Sequence, residues 1–196
     1  MRNHRGDVVE QALVVLDTYG LADLTMRRLG NELGVQPSAL YHHFPNKQSL
    51  LAAAADEILA RGRRTPRPTA WDAQVEAVCT ELRDAMLAYR DGAELVATVR
   101  SFGLGAATPY EELAAALTDG GLDPALVPTA ARTLLHFVFG HAVDEQTHLQ
   151  AGSVGAIEDA PREESDFALG LQIVVDGIRL LTGATSIRAT VEGSDA

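Results

Sequence analysis

Two stretches of this 196-residue chain gather side chains able to do chemistry. GVQPSALYHHFPNK, residues 34–47, sets Tyr41, His42, His43 and Lys47 around one short segment. HFVFGHAVDEQTH, residues 136–148, carries His136, His141, Asp144, Glu145 and His148. Adjacent histidines invite a metal reading. Successive helical residues, however, point about 100° apart, so His42 and His43 do not chelate one ion from one face. Glu145-Gln-Thr-His148 has the Glu-x-x-His spacing of di-iron bundles, which need that motif from two helices plus two further Glu. It occurs once here. His141 and His148, seven apart, read as a solvated or interface face. No Ser/His/Asp arrangement or phosphate-cradling glycine loop stands out, and the single cysteine, Cys79, reads as a small buried hydrophobe. The residues point away from an enzyme and imply no cofactor and no metal.

Charge separates the two stretches. Residues 1–68 hold nine Lys/Arg against seven Asp/Glu, net +2, whereas the remainder holds seven against twenty, net −13. The formal total of −11 therefore belongs to the C-terminal two-thirds and leaves the N-terminal part free to meet a polyanion. Acidic residues interrupt the apolar run after the first few residues, which excludes a signal peptide, and no uncharged apolar run approaches the roughly 18 residues a bilayer requires. A cytoplasmic protein with no membrane association is expected.

The elements that position the chemistry are helical throughout; no strand-like alternation occurs. The periodicity predicts helices over about 6–19, 26–32, 37–43 and from Asn46 through 62, with Gly20 and Gly34 as stops, Thr25 and Asn46 as N-caps and Pro37 at a first helical position. TPRPT, residues 65–69, breaks the chain into a helix-turn-helix domain with connecting helix, 1–64, and a second domain, 69–196. There, helices are predicted over about 70–89, 109–119, 125–149 and 163–183, with residues 90–98 as a turn and short segment and 151–164 as a loop. The fold class expected is all-α, an N-terminal three-helix domain joined to a larger helical ligand-binding and dimerisation bundle.

Residues 24–44 form a helix-turn-helix unit, whose second helix enters the major groove while the first crosses the backbone. Leu40 and Phe44 face inward with Leu24, Leu29, Leu33 and Val35, which leaves Gln36, Pro37, Ser38, Tyr41 and His42 for the groove. Arg27 can reach a guanine acceptor pair, and Ser38, Tyr41 and His42 can meet base edges or a thymine methyl. Thr25, His43 and Lys47 are placed for phosphates.

The run LTMRRLGNELGVQPSALYHHFPNKQSLLAAAADEIL resembles the DNA-binding domain of the tetracycline-repressor (TetR) family, with its Leu-Thr opening, Leu-Gly-Val turn, Leu-Tyr-x-His and Asn-Lys. AMLAYRDGAELVATVR, HFVFGHAVDEQTH and DFALGLQIVVDGIRLL resemble the ligand-binding core of the tetracycline-responsive branch. The resemblance implies a homodimeric repressor released from a near-palindromic operator by a small molecule. Departures qualify it. The magnesium-binding His of that branch is matched by Val96, its polar drug-contacting positions by Arg63 and Val78, and its Glu that holds metal-bound water by Asp144. Arg100 and His136 are retained. The inducer expected is therefore small and largely apolar, lined by Val78, Leu82, Val96, Val99 and Phe139, with Arg100, His136 and Asp144 as polar neighbours. A helix-turn-helix regulator that answers to a protein partner is the alternative.

By the same resemblance, the helices at 125–149 and 163–183 pair with their two-fold mates. Phe167, Leu171, Val174, Ile178 and Leu181 form a helical stripe that suits such a seam and equally suits a core within the chain. Two-fold symmetry would set the recognition helices about 34–36 Å apart. The helix at 46–62 joins both domains and is the expected lever.

Overall fold

The computed structural model describes residues 4–153 and 165–192, and side chains for 4–151 and 165–182. Among the described residues there are nine helices and no strand: α1 (Arg5–Tyr19), α2 (Met26–Leu33), α3 (Pro37–Leu40), α4 (Lys47–Gly62), α5 (Trp71–Leu87), α6 (Gly92–Ser101), α7 (Thr108–Asp119), α8 (Val127–Ser153) and α9 (Phe167–Glu192). The all-α expectation holds. The chain divides into two compact units: residues 1–63, 83–107 and 142–148 in the first, and 64–82, 108–141 and 149–196 in the second.

In the first unit, local chemistry sets the head. The Thr25 hydroxyl accepts from Arg28 N–H at 3.1 Å, which caps α2. Asn46 accepts from Ser49 N–H at 2.8 Å, which caps α4. Gly34 ends α2 in the left-handed region, φ 66°, where a side chain would be strained. Leu13, Leu16, Leu24, Leu29, Leu40, Phe44, Leu50 and Ile58 make the core. Leu33 and Val35, expected there, are only half-buried. Gly30 is required by a close approach: a Cβ there would lie 2.9 Å from the Val35 carbonyl oxygen and 3.4 Å from Pro37 N. Helix α3 is one turn shorter than its expected span; after Leu40 the backbone tightens into a turn, with His43 and Phe44 N–H both donating to the Leu40 carbonyl at 2.9 Å.

The segment 83–107 packs with this head, and the short segment expected to end near residue 98 is helix α6, which runs on to Ser101. Asp91 accepts from Leu21 N–H at 2.7 Å, and Asp17 accepts from Arg90 N–H at 3.1 Å, two carboxylates exchanged between turns. At the other end of α6, Asp56 on α4 accepts from Ala106 N–H at 2.8 Å. Arg61 donates to Glu10, Glu57 and the Tyr89 hydroxyl, which together raise its already high pKa. The buried Gln146 amide is satisfied threefold: it accepts from Ala93 N–H at 2.9 Å and donates to the carbonyls of Tyr89 and Met86.

In the second unit, Trp71 seats against Gly120, where a Cβ would meet the indole at 2.6 Å. Arg67 pairs with Glu81 at 2.7 Å and with Glu112 at 3.0 Å. Asp72 accepts from Arg179 at 2.7 and 3.1 Å; that contact, with the Ala73 N–H, holds its carboxyl below the usual range. Helix α9 has two apolar stripes rather than one. Phe167, Leu171, Val175 and Ile178 are buried in the chain's own core, whereas Val174 is half-buried and Leu181 is 45% exposed. The second stripe, Leu169, Ile173 and Leu180, is exposed by 62–77%. The expected loop at 151–164 lies, from 154 onward, outside the described residues.

Candidate nucleic-acid interface and inducer core

The head presents its chemistry through short elements fixed by caps. On α3 and the turn after it, Gln36, Ser38, Tyr41 and His42 are exposed, Pro37 and His43 half-buried, and Leu40 and Phe44 buried. Leu40 and Phe44 face inward and Ser38, Tyr41 and His42 outward as expected from the sequence, whereas Pro37, expected on the outer face, is half-buried. Tyr41, at 50% exposure, presents half of a large aromatic to solvent. Arg27 is exposed near the start of α2, Thr25 spends its hydroxyl on the cap, and Lys47 opens α4 beside Asn46. Arg28 is occupied instead: its guanidinium lies 3.6 Å from the Tyr19 ring centroid and 3.3 Å from the Asp23 carboxylate.

The residues expected around an inducer fall in both units. In the second, Val78 and Leu82 are buried on α5, Phe139 on α8 is half-buried and His136 is exposed. In the first, Val96 and Val99 are buried on α6, Arg100 is half-buried, and Asp144 on α8 is exposed. Five of the eight are thus apolar side chains at least half-buried. A separate cleft of about 390 Å³ opens between α1 and α4, walled by Gly6, Val9, Ala53 and Ala60 and rimmed by charged residues. None of the inducer candidates lines it.

The chemistry weighed for catalysis finds other uses. Glu145 accepts from Arg83 at 2.6 and 3.0 Å. His141 packs against both Phe137 and Phe167, with Ser165 Oγ at 3.2 Å from its Nε2. Among the described residues no group of three or more His, Cys, Asp or Glu is gathered as a metal would require. Burial, and secondarily the Glu76 charge, pushes the Cys79 thiol up to about 12, so it carries no thiolate at neutral pH. No helix among the described residues is long and apolar enough to cross a membrane. What the sequence reading missed were Asp17, Asp56, Asp91 and Arg61, which tie the 83–107 segment to the head. Their partners lie 28 to 73 residues away along the chain, so no local pattern announces them.

Two family models cover most of the chain. Residues 8–54 match the model for bacterial regulatory proteins of the tetR family, and residues 65–165 match that for the tetracyclin repressor-like C-terminal domain. The chain belongs to the TetR family. Its members are DNA-binding transcriptional regulators, not enzymes. Tetracycline repressor class A of transposon 1721, from Escherichia coli, is 33% identical over 87% of this chain and 88% of its own length. The crystal structure of Mycobacterium smegmatis BioQ superposes with a TM-score of 0.83 at 44% identity, over 91% of this chain and 98% of that one. A second BioQ structure, with its double-stranded DNA operator, gives 0.76 at 43% identity, over 91% and 99%. This TetR-family chain is thus similar over most of its length both to BioQ and to the class A repressor.

Proposed function

We propose that the protein is a cytoplasmic, homodimeric repressor that binds a near-palindromic operator and leaves it when a small, largely apolar molecule binds residues 69–196, the domain that follows the 1–64 reader. The observation that carries the operator reading is the exposed face Gln36–Ser38–Tyr41–His42 on a segment whose inward residues are fully used in packing. Ser38, Tyr41 and His42 read base edges. Arg27 takes a guanine acceptor pair, and Thr25, His43 and Lys47 engage phosphates. The apolar faces of α9 support the homodimer: Leu169, Ile173 and Leu180 form a stripe that nothing in the chain covers among the described residues.

Inducer chemistry follows from Val78, Leu82, Val96, Val99 and Phe139, with Arg100, His136 and Asp144 supplying a few polar contacts. Val96 offers no donor pair to a metal, which argues against a magnesium-chelated drug. Coupling runs through α6. Its carrier segment is hydrogen-bonded to the head at both ends, by Asp91 and Asp17 at one and Asp56 at the other, so a ligand that moves Val96 and Val99 loads the head directly. A coupling of about 1–3 kcal/mol changes operator affinity by roughly 5- to 150-fold.

The test is fluorescence anisotropy on duplexes from the gene's own upstream region against a scrambled duplex. Binding of two chains at one near-palindrome is expected. Tyr41→Ala should weaken that complex by about 1–3 kcal/mol and leave scrambled-duplex binding nearly intact, whereas Lys47→Ala should weaken both and flatten the salt slope by about one per protomer. Equal effects of the two changes on the scrambled duplex would remove Tyr41 from the reading set.

A further inference from the structure

Residues 4–62 contain five cations, Arg5, Arg27, Arg28, Lys47 and Arg61, and the structure sorts them into two groups. Arg28 pairs with Asp23, and Arg61 pairs with Glu10 and Glu57. These two are neutralised inside the head. Arg5, Arg27 and Lys47 have no carboxylate within ion-pair distance among the described residues. Arg27 and Lys47 already have DNA roles in the reading above; Arg5 has none.

Arg5 sits at the first position of α1, exposed, with its guanidinium carbon 4.8 Å from the centroid of the Phe44 ring. Phe44 is buried and directly follows His43 at the end of the recognition segment. Arg5 lines the α1–α4 cleft with three acids, and each is engaged by another group: Glu10 and Glu57 accept from Arg61, and Asp56 from Ala106 N–H, while Asp7 on α1 accepts from His4 N–H at 2.6 Å. A cation at a helix N-terminus opposes the helix dipole, so Arg5 does not serve the stability of α1. Its planar group is instead laid on a ring that belongs to the reading element, a placement that restricts its motion without discharging it.

We infer that Arg5 is a phosphate-contacting residue of the DNA interface, held against the edge of the recognition segment by Phe44 and adding a third unneutralised cation to Arg27 and Lys47. The inference rests on the operator reading. Being a backbone contact, it adds affinity for any duplex and no base preference.

The experiment measures operator and scrambled-duplex affinity across a salt series for the full-length wild type, Arg5→Gln and Arg5→Lys, with the thermal midpoint of each protein. Each phosphate contact contributes about 0.9 to the slope of log affinity against log salt, so a two-fold dimer that loses Arg5 should have a slope flatter by about 1.8. Between about 50 and 200 mM salt, wild type should therefore lose about tenfold more affinity than Arg5→Gln, on both duplexes. Arg5→Lys should keep the wild-type slope. An unchanged slope for Arg5→Gln overturns the inference, whether the midpoint holds or falls, and so does a loss confined to the operator. Should wild type bind no duplex at all, the operator reading fails and the inference with it; wild-type binding with an unaltered Arg5→Gln slope removes this inference alone.

Discussion

The outer faces of α3 and α9 are both exposed, and they are exposed in opposite chemical terms. Around α3 the solvent-facing residues include Gln36, Ser38, Tyr41 and His42, hydrogen-bonding groups on a short segment anchored by Leu40 and Phe44. On α9 they include Leu169, Ile173 and Leu180, an aliphatic stripe on a 26-residue helix. A polar face that needs no partner to remain folded can engage and release one; an aliphatic stripe of that size is costly to leave in water. The first suits a reversible complex whose strength varies with salt. The second suits a standing association that salt leaves alone.

Breaking the α9 face should have the largest effect. Leu169→Asp with Ile173→Asp places charges where two copies would meet, and each buried aliphatic is worth about 1.5–3 kcal/mol. Sedimentation velocity should show a folded monomer, and operator affinity should fall at least about a hundredfold, since half-sites are then bound one at a time. A variant that stays dimeric would assign the stripe to another partner.

On the head, Gly30→Val should be the next largest, because even a Cβ there approaches the Val35 carbonyl to 2.9 Å and backbone must yield. A cost of about 1–3 kcal/mol is expected by urea denaturation, with operator binding impaired and the dimer intact. Full operator affinity in this variant would mean that the angle between α2 and α3 tolerates far more change than their packing implies. Thr25→Ala is the mildest. Loss of the bond to Arg28 N–H should cost about 1 kcal/mol, read as a lower unfolding midpoint, with specificity preserved. A change in base preference would show that Thr25 meets a base edge as well as a phosphate and its own helix.

The same contrast explains what could be read from the sequence. Thr25, Gly34, Pro37 and Asn46 act on residues within one turn, so their roles as caps, stop and first helical residue are legible in the order of the chain. The inward set Leu40 and Phe44 follows from spacing four apart. Helix α9 is harder, because it is apolar on two faces. Periodicity finds a stripe through Phe167, Leu171, Val174, Ile178 and Leu181 but has no means of ranking it against Leu169, Ile173 and Leu180; of that first stripe Phe167, Leu171 and Ile178 are in the chain's own core, whereas Val174 is half-buried and Leu181 exposed. Helix α6 was read as a short segment because Asp91, which precedes it, adopts φ 55°, a left-handed start that resembles a plain turn in sequence. The carboxylates of Asp17, Asp56 and Asp91 are bound to backbone N–H groups fifty or more residues away, and no propensity encodes that distance.

The division of labour within residues 36–44 also bears on how such a protein changes over time. Leu40 and Phe44 hold the segment in place, whereas Gln36, Ser38, Tyr41 and His42 are exposed. Substitutions at those four positions are therefore nearly free of folding cost. A descendant can acquire a new target sequence by exchanging the outward side chains alone, and an engineer can transplant another protein's set onto the same supports.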